Sequence, residues 1–206
     1  MQTEFKCRAS ASGLLMTNAR KKTETLSETT KSYLKEWLKE QIYGVRNEIS
    51  SKYLTKGVEM ENESIEVYGI HRDLDFIVKN SKRFNNDYLT GEPDLILDNK
   101  IVDIKTSWDC FSFPLFANDV PDKKYYWQLQ SYMALTGYKS AELAYVLVNT
   151  PEHLQYNVLD MTDYTNLDLK YRVKTFQIER NEDDINALYQ RVQDCREYIN
   201  ELTNAD

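Results

Sequence analysis

Two aspartates and a lysine, close together in a 206-residue chain, have the residue types and spacing that could do chemistry. They lie in the stretch GEPDLILDNKIVDIKT, Gly91 to Thr106. Two runs of β character, Pro93–Leu97 and Ile101–Thr106, flank Asp98-Asn99-Lys100, which predicts a hairpin. Side chains alternate along a strand, so Asp103 and Lys105 share one face while Val102 and Ile104 anchor the other in the core. The attachment points of Asp103 and Lys105 are then about 6–7 Å apart. Asp94 opens the partner strand, and pairing through the turn brings it beside Asp103. Two carboxylates and an ammonium in one place suit a hard divalent cation such as Mg²⁺ or Mn²⁺. Such a cation polarises a phosphate and lowers the pKa of a bound water. A lysine beside that water can orient it or take its proton. The competing reading is a surface hairpin whose Asp and Lys only form ion pairs, and a D-x-K tripeptide alone does not choose.

Other segments must position these groups. Ser27 is the expected N-cap of a helix that carries Leu34, Trp37, Leu38 and Ile42 and stops at Gly44. A second helix is predicted over 55–68, with short strands at Phe76-Ile77-Val78 and Tyr88-Leu89-Thr90. Tyr125 to Leu135 reads as a helix, and Ala141–Val148 and Tyr171–Ile178 read as strands. Ile185, Leu188, Tyr189, Val192, Cys195, Ile199 and Leu202 form one stripe of a C-terminal helix expected to pack on the sheet. The pattern predicts a mixed α/β domain. The expected organisation is one domain, with a basic helical part at 1–56, a core at 57–150, and a strand and helix at 151–206.

On the second helix Glu59 and Glu63 share a face at i,i+4 and Glu61 lies on another. Gln128 and Gln130 are about 200° apart on theirs, so only one can face a site well. Gln128 shares its face with Tyr132 and Leu135 and is the candidate. Tyr125, Tyr126 and Trp127 read as core. Trp108, Phe111 and Phe113 also read as core, with an exposed loop that wedges a duplex end as the alternative. Near the N-terminus Arg8, Ser10 and Ser12 offer guanidinium and hydroxyl donors for a phosphate. Arg20, Lys21 and Lys22 add positive charge.

Composition narrows the class. Hydrophobic residues make up 41% and charged residues 29%, ordinary for a globular protein. No apolar run approaches a membrane span, and no apolar signal core follows Met1, so no export is expected. Cys7, Cys110 and Cys195 are far apart, which argues against a disulfide scaffold and against four-cysteine zinc or iron–sulfur sites. The net charge of −7 is uneven: residues 1–56 balance at +5 and the remainder at −12. That asymmetry is compatible with local phosphate binding beside carboxylates kept for a metal.

Pro93-Asp94 followed by Asp103-Ile104-Lys105 resembles the PD-(D/E)xK nuclease superfamily. Gly57-Val58-Glu59-Met60-Glu61 is similar to the G-x-x-x-E helix motif of its RecB and lambda-exonuclease branch. The helix segment Tyr126 to Tyr132 is similar to the glutamine-bearing helix that follows the D-x-K strand there. Cys7 to Gly13 resembles a short Arg/Ser segment of phage exonucleases and YqaJ-type viral recombinases. The resemblance spans Lys6 to Val148. It implies an α/β restriction-endonuclease-like core, a central mixed β-sheet flanked by helices. It implies that Asp94, Asp103, the Ile104 carbonyl and Glu61 bind Mg²⁺, with Mn²⁺ a possible substitute, that Lys105 activates the water, and that Gln128 belongs to the site. Arg8 and Ser10 would hold a 5′-phosphate. Asp103 stands where lambda-type enzymes usually carry Glu. The implied activity is metal-dependent exonucleolytic hydrolysis of linear duplex DNA, 5′ to 3′, in phage-type recombination. Implied partners are DNA ends, a single-strand annealing protein and further copies of the chain, as in a ring trimer. The implied location is the cytoplasm, the host's if phage-encoded. Two alternatives remain: an endonuclease of the same superfamily, or a non-catalytic DNA-end binder.

Overall fold

The computed structural model describes residues 4–47, 50–98 and 100–204. In chain order the elements are β1 (Cys7–Arg8), α1 (Ser12–Leu15), α2 (Glu28–Tyr43), α3 (Lys52–Glu59), α4 (Glu61–His71), β2 (Phe84–Asn85), β3 (Leu89–Gly91), β4 (Leu95–Leu97), β5 (Lys100–Ser107), α5 (Lys123–Thr136), β6 (Ser140–Leu147), β7 (Val173–Glu179) and α6 (Glu182–Asn204). The fold is α/β with a mixed main sheet. Its order is β4-β5-β6-β7, antiparallel, parallel and antiparallel across the three interfaces. A smaller sheet, β1-β3-β2, stands beside it.

Helices cover both faces of the main sheet, so its central strands read as nearly continuous apolar runs. On one face Val102, Ile104, Ala144 and Val146 pack on Ile65, Val67 and Tyr68 of α4. On the other, Ile101, Ala141 and Leu143 pack on Leu129, Tyr132 and Met133 of α5. Asp103 and Lys105 alternate with Val102 and Ile104, and so face the α5 side.

Several sequence expectations hold. Ser27 Oγ accepts from the Thr30 amide at the start of α2, and Gly44 at φ 66° ends it. Leu95–Leu97 pairs with Lys100–Val102, and Asp98 turns the chain at φ 47°; Asn99, between them, lies outside the described residues.

Others need correction. The single helix expected at 55–68 is two helices that break at Met60 (φ −97°, ψ 10°). The break lets α4 lie flat on the sheet with Glu61 at its first position. No ladder forms at Phe76–Val78, where Phe76 is 83% exposed and Ile77 packs against Gly69. The strand expected from Tyr171 begins at Val173, because Leu169–Tyr171 forms a 3₁₀ turn. The α6 stripe packs on α1, α2 and the small sheet, against Cys7, Leu15, Leu34, Leu38 and Leu89, not on the main sheet. The main sheet's two faces are already occupied by α4 and α5.

Two glycines permit close approaches that set the site. A Cβ on Gly13 of α1 would meet the Cα of Lys124 on α5 at 2.6 Å, and one on Gly91 would meet the Tyr132 ring at 2.8 Å. They let α1 and β3 close against α5.

Candidate active site

A cleft of about 590 Å³ opens beyond the end of β4, lined by Ser10, Glu61, Asp94, Asp103, Lys105 and Gln128 among others. The β4–β5 register places Leu95 opposite Val102, so Asp94, the next residue out, faces Asp103. The Asp94 carboxylate bends across to accept the Ile104 amide at 2.7 Å. A strand residue's N–H and C=O point to the same side. The Ile104 carbonyl therefore projects toward the cleft beyond the last β4 partner.

Asp103 is 1% exposed. Its Oδ1 accepts from Gln128 Nε2 at 2.9 Å. Its Oδ2 lies 2.7 Å from Lys105 Nζ, a buried ion pair in which the ammonium is its one partner. Burial, and then the Asp103 charge, push the Asp94 carboxyl up to about 7. Burial works to lower the Lys105 ammonium, but the charges of Asp103 and Asp94 prevail and hold it above its ordinary value. The Lys105 ammonium also lies 4.8 Å from the centre of the Tyr125 ring. Burial, reinforced by Asp103, raises the Tyr132 phenol. Tyr132 accepts from Gln128 at 3.0 Å and donates to the Glu92 carbonyl at 3.2 Å. One helix face thus fastens both strands of the hairpin.

Glu61 reaches the cleft from the α4 side of the sheet. Its carboxylate is paired with Lys79. Among the described residues no three acidic, cysteine or histidine side chains converge tightly enough to form a ready-made metal cage. Asp94 and Asp103 form the converged pair, with Glu61 across the opening. Glu59 turns away to His153. Two adjacent carboxylates and a backbone carbonyl fit a hard, oxygen-seeking divalent cation.

The predicted phosphate donors separate. Ser10 lines the cleft. Ser12 does not: it is buried, its Oγ 2.6 Å from Ser131 Oγ, and it joins α1 to α5. Arg8 lines a different pocket, on the outer face of the small sheet. Gln130 serves as a strut, donating to the Glu179 carbonyl at 2.7 Å. Tyr125, read as core, is half-buried at the cleft wall. Trp108 and Phe113 are buried as expected, whereas Phe111 is 83% exposed.

Three positioning residues carry no sequence signal of comparable strength. The Asn80 amide group donates to the carbonyls of Pro93 and Lys82, and the Asn80 backbone N–H donates to the Asp94 carbonyl at 2.7 Å. Lys79, beside it, holds Glu61. Lys56, buried just before Gly57, donates to the carbonyls of Trp108 (2.7 Å) and Val148 (2.8 Å). It pins α3 to the chain just beyond β5 and β6, and burial lowers its ammonium to about 8. Its place before the G-x-x-x-E segment was the one available hint.

A mixed sheet whose hairpin presents an Asp/Asp/Lys constellation resembles the core of PD-(D/E)xK nucleases. No protein-family model and no curated protein sequence matches the chain. Solved structures do. A phage-related exonuclease from Haemophilus somnus 129PT superposes with a TM-score of 0.86 at 28% identity, over 98% of this chain and 96% of that one. An alkaline exonuclease from Laribacter hongkongensis superposes at 0.68 with 19% identity, covering 96% and 91% of the two chains. Its complex with dAMP gives 0.67. The chain shares the fold of the lambda-exonuclease and YqaJ-like branch of that superfamily. None of its described helices is long and apolar enough to cross a membrane.

Proposed function

We propose that this protein is a Mg²⁺-dependent deoxyribonuclease that degrades linear duplex DNA from its ends, 5′ to 3′. One observation carries the reading: the carboxylates of buried Asp103 and of Asp94 face each other across the hairpin with a single ammonium, Lys105 Nζ, 2.7 Å from Asp103. One ammonium leaves this desolvated pair of carboxylates a charge short, and a divalent cation offsets their repulsion. Asp94, Asp103 and the Ile104 carbonyl would hold the cation, with Glu61 contributing from across the cleft once released from Lys79. The cation would supply charge neutralisation at the scissile phosphate and a water of lowered pKa. Lys105 orients that water and stabilises charge on the phosphoryl oxygens. Gln128 fixes the rotamer of Asp103, and Ser10 offers a hydroxyl to a substrate phosphate. Mn²⁺ would substitute for Mg²⁺.

The polarity is supported by the resemblance to lambda-type exonucleases. In that setting the product single strand passes to an annealing protein, the chain works as a ring trimer around DNA, and it acts in the cytoplasm, the host's if phage-encoded. The complex of the alkaline exonuclease with dAMP is consistent with nucleotide binding by a protein of this fold. The test is incubation of linear duplex with and without Mg²⁺, comparing wild type with Lys105→Ala. Wild type should release nucleotides only with the metal, and the variant should be slower by about 10³-fold or more. Intact DNA across Mg²⁺ and Mn²⁺ with wild type would sink the proposal. Equal rates on 5′-phosphoryl and 3′-phosphoryl recessed ends would sink the polarity alone.

A further inference from the structure

Arg8, displaced from the cleft, lies in a basic pocket of about 340 Å³ on the outer face of the small sheet. The β1–β3–β2 register puts Arg8 beside Thr90 and Thr90 beside Asn85, so these side chains share one face. Lys6, two residues before Arg8, projects to the same side and also lines the pocket. Arg83, just ahead of β2, and Arg46, just beyond the end of α2, complete the wall. Four cations thus face one carboxylate, Glu40. Arg83 also pairs with Glu92 at 3.1 Å. Among the described residues, Lys6, Arg8 and Arg46 have no carboxylate at salt-bridge distance. The C-terminus of α2 opposes an anion here, but a helix end carries only about half a charge. In a chain of net charge −7, this concentration of cations suits a polyanion, although Lys6 Nζ already donates to the Asn86 carbonyl at 2.6 Å.

The pocket also lies within reach of the cleft. Thr90 lines it and Asp94 is four residues on, so the two are at most about 14 Å apart. Each strand of a duplex presents a phosphate about every 3.4 Å of axis. A strand that runs from the cleft toward Thr90, with its scissile phosphate at Asp94 and Asp103, would carry another phosphate at this pocket within a few nucleotides. We propose that Lys6, Arg8, Arg46, Arg83 and Thr90 form a second polynucleotide subsite that grips a backbone phosphate a few nucleotides from the cut. The proposal rests on the nuclease reading. It replaces the assignment of Arg8 to the terminal 5′-phosphate.

The subsite should matter only for substrates long enough to reach it. The test measures cleavage and, with Ca²⁺ in place of Mg²⁺, binding of a 20-nucleotide strand, and cleavage of a dinucleotide diester. Proteins compared are wild type, Arg8→Ala/Arg46→Ala and the single variant Arg46→Glu, whose position is an exposed loop. Expected is a loss on the 20-mer at least about tenfold greater than on the dinucleotide. The slope of log affinity against log salt should fall by about 0.7 for the double variant, the value for one phosphate contact on a single strand. The loss should be the same for 5′-phosphoryl and 5′-hydroxyl ends. No loss, equal loss on both lengths, or loss confined to 5′-phosphoryl ends overturns the subsite. If wild type cleaves neither these substrates nor a linear duplex, it is the nuclease reading that fails.

Discussion

Two buried carboxylates on adjacent central strands, Asp103 on β5 and Glu142 on β6, have opposite fates. Glu142 is 0% exposed and saturated. It accepts from the Tyr68 hydroxyl at 2.8 Å and from Lys100 at 2.9 Å, and also from Arg72 and Gln177. Burial works to raise its pKa, but Arg72 and Lys100 prevail and hold it below the ordinary carboxylate value. Asp103, on the opposite face, has a glutamine on one oxygen and beside the other only Lys105, whose ammonium also answers the neighbouring Asp94. Burial alone therefore marks neither as functional. Glu142 fastens α4 to the sheet, while Asp103 is left incomplete in a way that a ligand can finish.

Exchanging charge for neutrality at each should separate the two roles. Glu142→Ala strands Arg72 and Lys100 and should cost about 3–5 kcal/mol of stability, read by urea unfolding. Asp103→Asn relieves repulsion with Asp94 but removes one of the two carboxylates that face Lys105, so it should cost the metal-free protein less than Glu142→Ala does. Its nuclease activity should fall by 10³-fold or more, about 4 kcal/mol in the barrier. If Asp103→Asn unfolds the protein as severely as Glu142→Ala, the contrast collapses and Asp103 is structural.

The same two regions should respond oppositely to pH. Asp94 titrates at about 7 when folded, against 3.8 for a free aspartate. The folded state thus binds more protons between these values, so stability present below pH 4 declines as pH rises toward 7. Glu142 is shifted the other way, so its contribution is present above pH 4.5 and lost as pH falls through its lower folded value. Metal-free wild type should lose stability toward neutrality from one and toward strong acid from the other. Asp94→Asn should remove the first loss only, and Glu142→Gln the second only. Saturating Mg²⁺ should also remove the first, since a cation stands in for the proton. A neutral-side decline that persists in both Asp94→Asn and Mg²⁺ would assign it to another group.

How much of this was readable in the sequence follows from the range of each interaction. The hairpin was legible because strand alternation is local: Asp103 and Lys105 must share a face, and Asp94 is placed by register. Gln128 was legible from its helix face, and the Ser27 and Gly44 caps from residue type. Ser12 was not, because a serine hydroxyl suits a phosphate and a buried partner equally, and Ser131 is 119 positions away. Glu142 gave no sign, since its cations come from positions 72 and 100. The α6 stripe was correctly apolar, but periodicity does not say which neighbour it meets. The segment after Phe76 has strand-like composition, yet its Asn80 bonds flank Asp94 instead of forming a ladder.

Asn80 gives the smallest and most discriminating test of the contrast. Glu142 is held by charges on its own oxygens, whereas Asp94 is held partly through the backbone at Pro93 and Asp94. Asn80→Ala removes two donated bonds and the acceptor of the Lys82 amide from a half-exposed site, which should cost about 1 kcal/mol. Its larger effect should fall on geometry. The Mg²⁺ concentration for half-maximal rate should rise several-fold, about 1 kcal/mol in cation affinity, with a smaller change in the rate at saturating metal. Asn80→Asp keeps an acceptor for Lys82 but has no donor for Pro93, so it should not restore metal affinity. If Asn80→Ala lowers stability and leaves the Mg²⁺ dependence untouched, the segment is a tether for the fold and Asp94 is positioned by the Ile104 amide alone.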